Sequence, residues 1–115
     1  MASGQLLRGF TVVMDDFYKT TQWKRLREKI LRRDKYQCQV SKRYGKIIEA
    51  NLVHHIFPVD DYPEYQWEEW NMISVSKAVH NRLHDRTTNK LTKEGVALLE
   101  RTAEKRGIPP DKKTG

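Results

Sequence analysis

The sequence predicts a small single-domain α+β protein in which two short strands lie among amphipathic helices. The chain has 115 residues, which is one domain length. Helical periodicity covers 20–33, 77–85 and 92–106, and two short apolar runs at 47–56 and 72–75 have the length of strands. No run of 18 apolar residues is present, and the single cysteine excludes an intrachain disulfide. We therefore expect a basic intracellular (cytoplasmic) protein with neither a membrane span nor a secretory signal.

The first predicted helix follows residues 1–16, an arm with weak periodicity in which 11–14 is either a short strand or of low order. Thr20 or Thr21 suits the N-cap, and the helix should end near Arg33. Its apolar stripe packs inward and consists of Trp23, Leu26, Ile30 and Leu31.

The two predicted strands are separated by an acidic, aromatic loop at 59–70. The first strand begins at Ile47, runs into His54-His55-Ile56 and stops near Pro58. The second covers 72–75. We interpret Trp67 and Trp70 as packing residues, because neighbouring glutamates would repel phosphate.

Two further helices complete the predicted fold. Ser76 is a favourable N-cap for a helix over 77–85. Thr92 caps a last helix that runs to Arg106, and Gly107 ends it. Residues 108–115 form a loose tail.

The net charge of +7 is concentrated in two segments. Residues 17–46 hold 11 basic and 2 acidic residues, and 77–115 hold 10 basic and 5 acidic. Residues 47–76 contain 6 acidic residues and no lysine or arginine. Basic surfaces attract polyanions by counterion release, whereas loop 59–70 is expected to face away from such a partner.

All four histidines fall between positions 54 and 84. His80 and His84 share one face of the predicted helix, at a spacing that can chelate a metal ion. His54 or His55 could supply a third ligand from the strand. Imidazole ligands favour a transition metal, and Mg²⁺ fits only with phosphate and water as additional ligands.

The run LVHHIFP, then Asn71, then HNRLH at 80–84 resembles the ββα-metal (His-Me finger) motif of HNH endonucleases. The H, N and H fall on His55, Asn71 and His80. The resemblance covers 17–90 and includes the WKRLR segment at 23–27, which often precedes the motif in small phage members. It implies one HNH nuclease domain over 1–115, with a motif-bearing core at 17–90 and a C-terminal helix at 91–107.

The resemblance assigns a role to each motif residue. His55 becomes the general base, and Asn71 orients it through amide hydrogen bonds to the loop. His54, His80 and His84 become ligands of one divalent ion: Mg, Mn, Ni, Co or Zn. The implied reaction is DNA phosphodiester hydrolysis that leaves a 5′-phosphate and a 3′-hydroxyl.

Two features depart from the family pattern. Adjacent strand residues point to opposite faces, so His54 and His55 can act on one phosphate only where the strand ends or bulges. The four cysteine positions of the family's structural zinc site hold only one thiol here, so we predict no structural zinc. Those positions are Cys38, Ser41, Ser76 and Val79, and the expected replacement is apolar packing among Cys38, Val40, Ile48, Val75 and Val79.

DNA is the expected partner, and the candidate phosphate contacts are Lys24, Arg25, Arg27, Arg32, Arg33 and Arg82. Two other interpretations stay open: a non-catalytic DNA-binding or assembly module, and a purely structural zinc site formed by the four histidines. Nicking versus double-strand cutting, the oligomeric state and a protein partner, in phage packaging or elsewhere, also stay open.

Overall fold

The computed structural model describes residues 18–109, so the interpretations of 1–17 and of 110–115 lie outside it. The chain is α+β and contains two antiparallel strands. Among residues 18–109, no helix combines the length and the apolar character needed to cross a bilayer. In chain order the elements are α1 (Thr21–Arg33), α2 (Gln39–Arg43), β1 (Leu52–His55), β2 (Met72–Val75), α3 (Lys77–Leu83) and α4 (Lys93–Arg106), with 3₁₀ turns at Pro63–Tyr65 and Glu69–Asn71 before β2.

Helices α1, α3 and α4 begin where the sequence predicts, because the N-cap residue of each has a hydroxyl group. The Oγ of Thr20 accepts from the Trp23 amide at 3.1 Å. Ser76 and Thr92 cap α3 and α4 in the same way, each at 3.2 Å. Gly107 ends α4 with φ of 68°, as the left-handed C-cap requires.

Helix α3 is shorter than predicted. It ends at Leu83 rather than near residue 85 because His84 is extended, with φ −123° and ψ 139°, and bridges to Leu91. Because its backbone is extended, His84 lies just beyond the helix and not on its last turn.

The strands pair antiparallel from Leu52 opposite Val75 to His55 opposite Met72. The predicted start of β1 at Ile47 is wrong, since the strand begins at Leu52. Ile47 is 79% exposed, and within residues 18–51 the strand pairing is limited to an isolated bridge between Gln37 and Glu49. The apolar run at 47–48 is a surface feature and not part of the sheet.

The core beneath α3 contains Cys38 and Val79, two of the four positions that the resemblance assigns to the family's zinc site. Cys38, Val75 and Val79 are buried together with Ala50 and Leu83, and Val40 packs against them. The expected member Ile48 is 42% exposed, and Ala50 takes its place.

Hydroxyl groups complete the surroundings of the Cys38 thiol. Ser41 donates to its Sγ at 3.3 Å. Burial raises the pKa of this thiol, but hydrogen bonds with Ser41 and Ser76 together bring it below its usual value. The single thiol is therefore both packed by apolar side chains and hydrogen-bonded.

The aromatic loop packs as predicted. Trp70 contacts Phe57 and Tyr65, and the Arg106 guanidinium lies 4.2 Å from the centre of the Trp70 ring. Trp67 packs on the cluster built around Trp23, on α1. The loop is therefore packed against both α1 and α4.

Candidate active site

Three histidines converge on one point between the sheet and α3. His54 comes from β1, His80 from α3, and His84 from the extended residue after α3. One ring nitrogen from each lies within 4.8 Å of the other two. We call these three residues the histidine cluster. His55 is not part of it, which rules out one structural site made of all four histidines.

The histidine cluster fits a bound transition metal. His54 is 1% exposed, and neither of its ring nitrogens has a hydrogen-bond partner; the buried Nδ1 of His84 also lacks one. Unpaired buried polar atoms are rare in proteins unless they serve a ligand or ion. Burial, and then the neighbouring His84 and His80, lower the pKa of His54 well below its usual value. The cluster therefore presents neutral imidazoles, the form that binds metals.

His55 lies on the other side of β1, where Gln66, Trp23 and Tyr18 contact it. Its Nε2 lies 3.1 Å from the Gln66 carbonyl oxygen, and its ring stacks on Trp23 with centroids 5.4 Å apart. A carbonyl only accepts, so Nε2 carries the proton and Nδ1 is the basic nitrogen. The Tyr18 hydroxyl lies 3.5 Å from Nδ1. Burial lowers the pKa of His55, an effect that the Gln66 carbonyl partly offsets.

Asn71 is fully buried just before β2, and its side chain binds the backbone of the loop that joins β1 to β2. Its Oδ1 accepts from the Phe57 amide at 2.7 Å. Its Nδ2 donates to the carbonyls of Phe57 at 3.1 Å and Tyr65 at 3.2 Å. Because Tyr65 precedes Gln66, the amide also fixes the carbonyl that orients His55.

One open cleft of about 480 Å³ contains all four histidines. His54 and His55 both reach it because β1 ends at His55. Its walls also include Trp23, Arg27, Asp60 and Asn89. Val59 and Asp60, at the start of the loop 59–70 that was expected to face away from a polyanionic partner, line this cleft.

The predicted basic residues occupy different surroundings. Arg27 lines the cleft, and its Nη2 donates to the Asn51 carbonyl at 2.7 Å. Arg33 donates to the carbonyls of Glu69 and Met72 and pairs with Asp34, so it joins α1 to β2. Of the remaining predicted residues, Arg32 pairs with Glu28 and Arg82 with Glu94, each at 3.5 Å, while Lys24 and Arg25 are exposed.

Sequence reasoning missed several groups of the site. The Gln66 carbonyl is a backbone atom, and no residue type signals its role. Tyr18 and Asp60 reach the cleft only through the tertiary fold. For Trp23, the helical stripe indicated burial but not its stacking on His55.

Comparison with solved structures finds a similarity to a crystal structure of the HNH endonuclease of deep-sea thermophilic bacteriophage GVE2 with manganese ion. The two are 32% identical, with a TM-score of 0.61, over 63% of this chain and 78% of that chain. No family model and no curated protein matches the sequence.

Two antiparallel strands, the helix after them and the histidines in their cleft define a nuclease-type protein of the ββα class. The shared architecture and the 32% identity over most of the phage enzyme identify the family more closely. The chain belongs to the HNH endonucleases, which confirms the resemblance found in its H-N-H motif.

Proposed function

We propose that the protein is a metal-dependent DNA endonuclease in which His55 is the general base. The observation that carries the proposal is the placement of His55 and the histidine cluster in one cleft. The phage HNH endonuclease with manganese ion supports the same chemistry.

His54, His80 and His84 would hold one divalent ion, for which Mg, Mn, Ni, Co and Zn are candidates. When bound, the ion supplies positive charge that stabilises the negative charge developing on the scissile phosphate and the leaving oxygen. The buried, unpaired nitrogens of His54 support this assignment of ligands.

His55 takes a proton from the attacking water at Nδ1. Its lowered pKa keeps the imidazole neutral at pH 7, so it is ready to accept that proton. The Gln66 carbonyl accepts from Nε2–H and stabilises the imidazolium that forms. Asn71 acts one step away by holding the loop on which Gln66 lies. Hydrolysis then leaves a 5′-phosphate and a 3′-hydroxyl.

Arg27 is the predicted phosphate contact that lies in the cleft itself. The Asn51 carbonyl fixes its guanidinium through one N–H, and its other N–H groups are suited to phosphate oxygens. Lys24 and Arg25 extend this basic surface along α1. Arg32, Arg33 and Arg82 would have to exchange their present ion pairs for phosphate contacts.

A plasmid nicking assay with added Mg²⁺, Mn²⁺ or Ni²⁺ tests the proposal. We expect nicking by the wild-type chain and a loss of roughly 10²- to 10⁴-fold in His55→Ala, with unchanged DNA affinity. Asn81→Ala, an exposed change on α3, is the matched control. If the protein binds DNA yet never nicks it with any metal, it is a non-catalytic DNA-binding module instead.

A further inference from the structure

The turn at 44–48, which we call the 44–48 tip, exposes apolar side chains that the nuclease site does not use. Tyr44 is 70% exposed, Ile47 79% and Ile48 42%. Three backbone hydrogen bonds fix the turn: Tyr44 and Lys46 donate to Ser41, and Gly45 donates to Lys42. Gly45 has φ of 79°, a value that favours glycine. The exposed side chains are therefore displayed by a defined turn.

Unpaired positive charge surrounds this tip. Residues 35–48 contain no aspartate or glutamate, and the exposed Glu49 is the first acidic residue after them. Four exposed cations lie in the same stretch, and none takes part in a salt bridge within residues 18–109: Lys35, Lys42, Arg43 and Lys46. On α1, by contrast, Lys29 and Arg32 are both paired with glutamates. The tip therefore combines an apolar apex with cations that are free to meet an anionic partner.

We infer that the 44–48 tip is a second DNA contact, which inserts Ile47 into the minor groove while the neighbouring cations contact its phosphates. The minor groove offers what the tip requires, namely anionic rims and a floor that accepts apolar side chains. An acidic protein surface would offer the charge, but the proposed nuclease function, on which this inference rests, already makes DNA the polyanion.

One duplex can reach both the tip and the cleft. Leu52 lines the cleft and lies five positions after Ile47. Five steps along the chain span at most about 18 Å, whereas one turn of duplex DNA is about 34 Å long. The tip therefore lies within the length of one helical turn of DNA from the cleft wall at Leu52.

Fluorescence anisotropy with a labelled 20-base-pair duplex that contains an A·T tract tests the inference. The full chain is used with EDTA, so that no cleavage occurs and the result does not depend on nuclease activity. We expect Ile47→Ser to weaken binding about tenfold without changing the salt dependence, because the lost contact is apolar. Lys46→Ala should instead reduce the slope of log K against log salt by about one.

Val96→Ser is the matched control, since Val96 is an apolar side chain 40% exposed on α4. It should bind DNA as the wild type does. Netropsin, a minor-groove ligand, should compete with the wild-type chain, and methyl green, a major-groove ligand, should not. Unchanged affinity of Ile47→Ser, an equal loss in Val96→Ser, or competition by methyl green alone would each overturn the inference.

Discussion

Removal of the Asn71 side chain tests how the loop beside His55 is held. Asn71→Ala deletes three hydrogen bonds to backbone groups of Phe57 and Tyr65, at 2.7, 3.1 and 3.2 Å. At about 1 kcal/mol each, the loss is about 3 kcal/mol. Since Phe57 is 1% exposed, water cannot readily replace these bonds. For a domain of this size, the melting temperature should fall by about 12 to 24 °C.

Urea denaturation measures this loss as the change in the free energy of unfolding. Asn81→Ala is the control, because Asn81 is exposed and should change stability by less than about 0.5 kcal/mol. Asn71→Asp keeps the bond from the Phe57 amide but loses both donated bonds, and it places a charge in a buried site. It should therefore also be less stable than the wild type. If Asn71→Ala costs less than about 1 kcal/mol, the amide does not hold the loop.

Four further predictions follow from the same structure. In a thermal shift assay, Mn²⁺ at 100 times its dissociation constant should stabilise the wild type and His55→Ala by about 2.7 kcal/mol but not His54→Ala; an equal shift in all three proteins would exclude the histidine cluster as the metal site. Without metal, burial lowers the pKa of His54 in the folded protein, so below pH 6.5 the unfolded chain binds a proton at His54 that the folded protein does not. Protonation therefore favours the unfolded state as the pH falls. The urea midpoint should therefore fall from pH 7.5 to 5.5, and a flat profile would contradict the assigned burial. In Gly95→Ala, the new Cβ would overlap the backbone where α4 crosses the end of α3, so stability should fall by about 1 to 3 kcal/mol; a melting temperature at or above that of the wild type would show that the crossing yields. Arg33→Ala should lower the melting temperature with little change in the salt dependence of DNA binding, since its guanidinium contacts the protein. Lys24→Ala should do the reverse, and equal behaviour of the two would refute the distinction.

The starts of α1, α3 and α4 and the end of α4 were predictable because their determinants are local, whereas α2 and the end of α3 were not predicted. Thr20, Ser76 and Thr92 each bond an amide three residues ahead, and Gly107 needs only its own backbone freedom. Such contacts are contained in a window of four residues. The three histidines of the cluster were predictable for a related reason, since two of them share one short segment and the motif supplies the third.

The sequence could not show the surroundings of residues that depend on distant parts of the chain. Ile47 has an apolar side chain, which favours burial. Its exposure follows from the tertiary fold, which leaves it uncovered, and the neighbouring residues do not show this. Asp60 belongs to an acidic loop, yet it lines the cleft that contains the histidines. Arg33 is one cation among many on α1, and its contact with the Met72 carbonyl joins positions 39 residues apart.

The end of β1 places two histidines side by side with opposite surroundings. His54 joins the cluster, while His55 meets Trp23 and the Gln66 carbonyl. Pairing of the Ile56 amide with the Asn71 carbonyl, at 2.8 Å, continues the register just beyond them. A one-residue insertion or deletion in β1 would turn each side chain to the opposite face of the strand. His54 and His55 would then no longer both occupy their present places. A change in the length of this segment is therefore expected to displace both the histidine cluster and His55, whereas a substitution beside them keeps the register.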